Sequence, residues 1–398
     1  MTDEPSLQSA GRAHVNQAVL KVAQRCNLDC TYCYVYNRGD ESWRTRPAFL
    51  SERISRQLAA RIKAHCQSYG DSSFTVEIHG GEPLLLGRER MQRLIDIIRA
   101  GAEPVRIFFT LQTNGTLLDS DWLNFFQRNN ISFGVSVDGP PAIADRHRIM
   151  RKTGAGSTEL VLSNLRYLRS LGKPFDDTFG GCLCVIDPSM NGAELVDWFV
   201  SQEIMAFDLL LPDGNVANPP EGWIGVEPYQ RFLLEAFDRW YTMPAPAPSI
   251  RLFELMMQGL MGAPPQIDGL GGDLRELCVI ESDGSIGAHD VLRMCGDRFS
   301  RDPINIFDHP LDRHSEIYSI ELIQQPCAQC TDCPYFASCG GGYLPHRFDG
   351  LDFNNPSLYC EAMYSLSEAM MRALRRDLPL SAWVEDRSAE SERTDAHA

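Results

Sequence analysis

The segment Cys26-Asn-Leu-Asp-Cys30-Thr-Tyr-Cys33 puts three cysteines within eight residues, and the tyrosines of CNLDCTYCYVY crowd around them. A cubane 4Fe-4S cluster has four irons, each wanting a thiolate. The Cys-x3-Cys-x2-Cys spacing wraps one loop around three of them and leaves the fourth iron open to a ligand from elsewhere. Catalytic metal sites keep an open position in the same way. A zinc knuckle with a distant fourth ligand is the alternative, because thiolates suit both metals. A second concentration, CAQCTDCPYFASCGGGY, opens at Cys327 and contains Cys330-x2-Cys333-x5-Cys339, with Cys360 further on. Four thiolates there would close one cubane for electron transfer or structure, or hold a structural zinc.

Both groups need a scaffold. From residue 18 to about 212, short β-branched or apolar runs alternate with segments of helical period, the pattern of a parallel α/β fold. The strand candidates are AVLKVA from 18, FTVEIHG from 74, RIFFTLQTNG from 106, SFGVSVDG from 132, TFGGCLCVI from 178 and AFDLLLP from 206. Between them, Ser51 begins a helix by a capping pattern, and Ile54, Leu58 and Ile62 repeat along its buried face. Met91, Leu94, Ile95 and Ile98, then Leu162, Leu165 and Leu168, then Leu195, Trp198 and Phe199 mark three more. The expected architecture is a partial (β/α)6 TIM-like barrel over residues 15–212, with its chemistry at the C-terminal strand ends. The first cysteine loop follows the first strand there. Residues 213–269, rich in Pro, Gly and Asn with a helix at Tyr229 to Tyr241, read as a bridge; 270–376 form a cysteine-rich C-terminal domain, and 385–398 a disordered acidic tail.

The bulk composition agrees. A chain of 398 residues supports one large or two unequal domains. A net charge of −16 argues against a general affinity for nucleic acid. The N-terminus lacks a signal-peptide pattern, and no run reaches about 18 apolar residues, so a cytoplasmic protein without a membrane span is expected. Thirteen cysteines in such a chain point to metal or catalytic roles rather than disulfides. Cys66, Cys182 and Cys184 lie outside the two concentrations and are assigned to packing.

CNLDCTYCYVY resembles the Cys-x3-Cys-x2-aromatic-Cys motif of the radical S-adenosylmethionine (SAM) superfamily, with Tyr32 before Cys33. The resemblance implies that Cys26, Cys30 and Cys33 hold a 4Fe-4S cluster whose open iron is chelated by SAM, and that one-electron reduction releases a 5′-deoxyadenosyl radical. HGGEPLL, from His79 to Leu85, is similar to the family's GGEP motif, so Gly80, Gly81, Glu82 and Pro83 fall at the methionine amino group. Glycines at a strand end let the backbone approach a ligand closely. Gln112 and Asn114 of QTNG, and Ser136 and Asp138 of SVDG, end the next two strands with side chains suited to ribose and carboxylate. Arg148 is similar to the Arg that pairs with the SAM carboxylate in the family, with Arg146 and Arg151 as near alternatives.

The C-terminal cysteines resemble the SPASM extension of radical SAM peptide-modifying enzymes, which carries auxiliary iron-sulfur clusters. The resemblance implies one or two auxiliary 4Fe-4S clusters: one on Cys330, Cys333, Cys339 and Cys360, and an under-ligated one on Cys278 and Cys295, with Cys327 as a possible third ligand. Tyr343 stands where the family pattern has a cysteine. Within the group, LKVAQRCNLDCTYCYVYNRGDESW and DGSIGAHDVLRMCGD look most like the FxsB-type maturases, which join an aromatic ring carbon to a Cβ as a cyclophane in a ribosomally made precursor. A precursor peptide and an electron donor such as a flavodoxin or ferredoxin are the implied partners. A sulfatase-maturase-like oxidation of Cys or Ser to formylglycine, and a non-catalytic zinc-binding interaction protein, are the alternatives. Asp297 and Asp283 are the base candidates. Only about seventeen residues precede the first strand, so a winged-helix precursor-recognition module is not expected.

Overall fold

The computed structural model describes residues 14–300 and 303–378; the acidic tail expected at 385–398 lies outside them. All six expected strands form: β1 (Gln17–Ala23), β2 (Ser73–Gly80), β3 (Arg106–Thr113), β4 (Ile131–Ser136), β5 (Phe179–Val185) and β6 (Ala206–Leu210). Each pairs in parallel with the next. Three short strands extend this run: β7 (Ser249–Ile250) beside β6, β8 (Leu277–Ile280) parallel to β1, and β9 (Ile286–Gly287) antiparallel to β8. The result is one open sheet ordered β7-β6-β5-β4-β3-β2-β1-β8-β9. The cysteine-rich region therefore continues the sheet through β8.

The crossovers carry α1 (Glu52–Tyr69), α2 (Arg88–Ala102), α3 (Ser120–Asn129), α4 (Thr158–Arg169) and α5 (Gly192–Ser201). Ser51 caps α1 by accepting from the Ile54 amide, and Ile54, Leu58 and Ile62 are buried. α6 (Glu227–Tyr241), α7 (Arg251–Leu260) and α8 (Cys360–Asp377) follow, and α8 lays Met363, Leu366, Met370 and Leu374 against α6 and α7. The main core runs under the sheet; a smaller one gathers Leu274, Leu292, Tyr318, Leu344 and Phe353 in the C-terminal region. No helix among the described residues is long and apolar enough to cross a membrane.

Candidate active site

A single cavity of about 1080 Å³ opens at the C-terminal ends of the strands and reaches into the cysteine-rich region. Cys26, Cys30, Cys33, Gly80, Gly81, Gln112, Asn114, Ser136, Asp138 and Arg148 all line it, so one volume joins residues spread over more than a hundred positions. Glu82 and Pro83 stand behind the wall. Fully buried Glu82 accepts from the Thr113 hydroxyl (2.7 Å), the Asn114 amide (2.8 Å) and the Leu84 amide (3.0 Å), locking the GGEP turn to the end of β3.

Backbone approach decides how the cysteine loop meets that turn. The Gly81 amide donates to the Ala23 carbonyl at 2.7 Å and the Glu82 amide to Arg25 at 3.0 Å. A Cβ on Gly81 would stand 2.0 Å from Tyr36 Oη and 2.4 Å from the Arg25 carbonyl oxygen, so only glycine fits. On the other side Cys26 Sγ accepts from the Leu28 amide (3.4 Å) and from Asn114 Nδ2 (3.6 Å). The segment around Arg148 straps the loop: the Asp29 amide donates to Ile149 (2.8 Å), and the Arg151 amide to Asn27 (2.9 Å). Arg148 Nη1 donates to Tyr32 Oη at 2.7 Å and lies 3.7 Å from Asp138, which Tyr32 also engages. Arg146 and Arg151 instead pair outward, with Asp187 (3.9 Å) and Asp29 (3.0 Å).

The donor set fits a cluster. Burial, then the charge of Glu82, pushes the Cys26 thiol up to about 12, and burial pushes Cys30 to about 11 and raises Cys33. Thiolates there need metal charge beside them.

The C-terminal cysteines also gather. Cys330, raised by burial to about 12, feels Cys327, Cys339 and Cys360; Cys360, raised to about 11 by burial, feels Cys339, Cys333 and Cys327. Cys327, grouped above with Cys278 and Cys295, is placed here instead, its sulfur 3.5 Å from that of Cys330. Cys278 is buried on β8 in the main core, while Cys295 sits in the smaller one with its thiol 3.8 Å from the Pro345 carbonyl oxygen. The chain thus gathers five cysteine thiols, those of Cys327, Cys330, Cys333, Cys339 and Cys360, in one place, and does not bring Cys278, Cys295 and Cys327 together. Cys66, Cys182 and Cys184 are buried in the main core, with Cys182 also touching the cavity.

Asp283 lies in a surface turn, where it accepts from the Ser285 amide (2.9 Å) and pairs with Arg46 (3.5 Å), away from the cavity. The side chain of Asp297 lies outside what is described. A polar cluster missed in the sequence occupies the wall instead. Lys21, only 4% exposed, meets Asp290, His79 Nδ1 (3.0 Å) and Tyr34 Oη (3.1 Å), and Tyr34 also donates to Asp290. Burial, then the Lys21 charge, drives His79 down to about 3, so its imidazole is neutral. Burial would raise Asp290, but Lys21 and His289 hold it far below the usual carboxylate range. His289 bonds Asp268 at 2.9 Å, and Tyr343 Oη lies 3.5 Å from His289 Nδ1. The one signal for this cluster was a lone lysine inside an otherwise apolar strand.

The Radical SAM superfamily model matches residues 20–195. The chain belongs to the radical SAM superfamily: it is an enzyme that uses a 4Fe-4S cluster with SAM, and its C-terminal region has the SPASM-type form that carries auxiliary clusters. It is 31% identical to a serine-type anaerobic sulfatase-maturating enzyme of Klebsiella pneumoniae over 388 residues, covering 91% of this chain and 90% of that one. A cysteine-type enzyme of Clostridium perfringens strain 13 is 28% identical over 337 residues, covering 80% and 85%. In fold the chain is similar to native anSMEcpe solved with AdoMet and the Cp18Cys peptide (TM-score 0.76, 23% identity, 90% and 98% covered). It is also similar to Streptococcus suis SuiB bound to its precursor peptide SuiA (TM-score 0.57, 15% identity, 88% and 76% covered).

Proposed function

We propose that this enzyme oxidises a Cys or Ser side chain in a peptide to formylglycine by two electrons. The observation that carries this reading is the nearly full-length similarity to sulfatase-maturating enzymes of both types. It displaces the cyclophane cross-link suggested by the flanks of the first cysteine motif, since the relatives named support the oxidation better. The two reactions share their accounting, because each removes two electrons and two protons from the peptide.

Cys26, Cys30 and Cys33 would hold the SAM-binding cluster, and Cys330, Cys333, Cys339 and Cys360 the auxiliary one. When reduced, the first supplies hydrogen abstraction through the adenosyl group of SAM. Arg148 and Asp138 present charge to the cosubstrate, while Gln112, bonded to Ser136 at 3.0 Å, sets the wall beside it. The half of the cavity lined by His289, Tyr343 and Asp290 is left for the peptide side chain. The neutralised Lys21–Asp290 pair gives that wall fixed dipoles at low reorganisation cost. A flavodoxin or ferredoxin would deliver the electron.

The test is anaerobic turnover of a synthetic peptide carrying the modifiable serine of a sulfatase. The expected product has lost two hydrogens and reacts with a hydrazide as an aldehyde. A product two hydrogens lighter that is inert to hydrazide and contains a new carbon-carbon bond would overturn the reading in favour of the cross-link.

A further inference from the structure

Five lysine and arginine side chains lie buried among the described residues, and four of them meet a carboxylate: Lys21 pairs with Asp290, Arg46 with Glu281 (3.8 Å), Arg148 with Asp138 (3.7 Å) and Arg293 with Glu281 (2.8 Å). Arg347 is the exception. It is only 2% exposed, and among the described residues no carboxylate forms an ion pair with it. Its guanidinium donates to main-chain carbonyls instead: Nη1 to Gln324 (3.0 Å), Nη2 to Gln325 and to Phe353 (2.7 Å), and Nε to Phe353 (3.1 Å) and Asn355 (3.2 Å). Carbonyl dipoles satisfy its donors but carry no net charge, and a buried cation without a countercharge is costly.

The position of those carbonyls shows where the missing charge comes from. Gln324 and Gln325 lead into Cys327 and Cys330, and Phe353 and Asn355 lead towards Cys360. Arg347 itself ends the short turn Leu344–Arg347 that follows Cys339, and the carbonyl of its neighbour His346 accepts from the Leu358 amide at 2.9 Å. One guanidinium therefore ties together the segments that bring the C-terminal thiols to one place. Burial disfavours its charge, and the charges of Cys330 and then Cys327 oppose that effect. A cubane held by four thiolates is a net anion and gains one more negative charge on reduction, and net charge is one of the protein's levers on its potential.

We propose that Arg347 is the countercharge of the iron-sulfur cluster at the C-terminal cysteines and raises its reduction potential. Its use, to draw off the second electron of the reaction, rests on the oxidation proposed above. In that oxidation a hydrogen atom leaves Cβ for the adenosyl carbon, the O–H or S–H proton passes to a cavity-wall base, and the remaining electron reduces the oxidised C-terminal cluster as a C=O or C=S bond forms. In the cysteine case water then replaces sulfur, releasing sulfide. A fixed positive charge stabilises the reduced cluster more than the oxidised one, so Arg347 acts as a positioning residue that never touches the peptide.

An EPR-monitored redox titration of reconstituted full-length protein tests this, in a C26A/C30A/C33A background so that the signal comes from the C-terminal cysteines. At a fixed potential, R347M and R347Q should hold about tenfold less reduced cluster, a midpoint about 59 mV lower for a one-electron couple. R347K keeps the charge but loses the fork to the carbonyls, and should titrate close to the Arg347 protein. If the neutral variants retain no cluster iron while R347K does, the need for charge appears as lost loading and supports the same role. Unchanged potentials in all three variants, a shift in R347K as large as in R347M, or loss of the cluster from all three would overturn the proposal, since each leaves Arg347 a structural tie only. With the first cluster intact, R347Q should lower kcat for the sulfatase-derived peptides about tenfold at unchanged KM. If the wild-type enzyme turns over neither peptide, the formylglycine reading fails, and the titration still decides the role of Arg347.

Discussion

Replacing Asp290 by Asn should be among the most damaging single changes on the cavity wall. The Lys21–Asp290 pair is enclosed, with side-chain exposures of 5% and 12%. The other neighbours of Lys21 are a phenol and an imidazole that burial holds neutral, so neither supplies a countercharge. Removing one partner of a buried ion pair costs about 3–5 kcal/mol, because an uncompensated charge is left behind. At roughly 2 cal/mol/K of unfolding entropy per residue, the loss lowers the Tm of a chain this size by about 5 °C. The pH dependence has a defined sign. Asp290 is depressed in the fold, so its stabilisation is fully present above the unfolded carboxylate pKa of about 3.9 and is lost as pH falls through the folded value. The deficit of D290N should accordingly narrow in acid. Denaturant unfolding of anaerobic holoenzyme, followed by tryptophan fluorescence, measures it. The double change K21M/D290L should recover most of the loss, since an apolar pair of similar volume is tolerated where a half pair is not. A D290N deficit below about 1 kcal/mol, or a double variant no better than the single, would refute the reasoning.

Gly81→Ala should part the GGEP turn from the cysteine loop, because its Cβ would collide with the Arg25 carbonyl; a cost of about 1–3 kcal/mol should appear as weaker SAM binding by equilibrium dialysis. Arg148→Lys keeps a charge but loses the planar fork between Tyr32 and Asp138, so SAM should bind roughly 10- to 100-fold more weakly. Cys327→Ser should leave the iron content of reconstituted protein unchanged, whereas Cys360→Ser should lose about one cluster; the reverse would exchange the roles of spare thiol and ligand.

The six long strands and their helices were legible because each is a continuous apolar run or a helical stripe between clear breakers, and the Ser51 cap could be read three residues ahead of Ile54. β7, β8 and β9 were not, since two to four residues carry no period. The cavity-lining residues of GGEP, QTNG and SVDG were legible because each sits in a short motif at a strand end. The wall cluster was not: Lys21 and Asp290 are separated by 269 positions, and only the parallel pairing of β8 with β1 brings the second near the first. The same limit applies to the cysteines. Spacing joined Cys330, Cys333 and Cys339, and Cys327, one turn before Cys330, belongs with them by the same spacing; the separation of Cys278 from Cys295 follows from packing. Asp283 failed as a base because its turn faces Arg46 rather than the cavity.

The most direct measurement follows one hydrogen. A sulfatase-derived serine peptide deuterated at Cβ, incubated anaerobically with reduced, reconstituted enzyme and SAM, should yield 5′-deoxyadenosine that carries deuterium. That outcome requires cosubstrate and peptide side chain to meet in the cavity between the cysteine loop and the His289–Tyr343 wall. Unlabelled 5′-deoxyadenosine formed alongside oxidised peptide, or no SAM cleavage by fully iron-loaded protein, would contradict it.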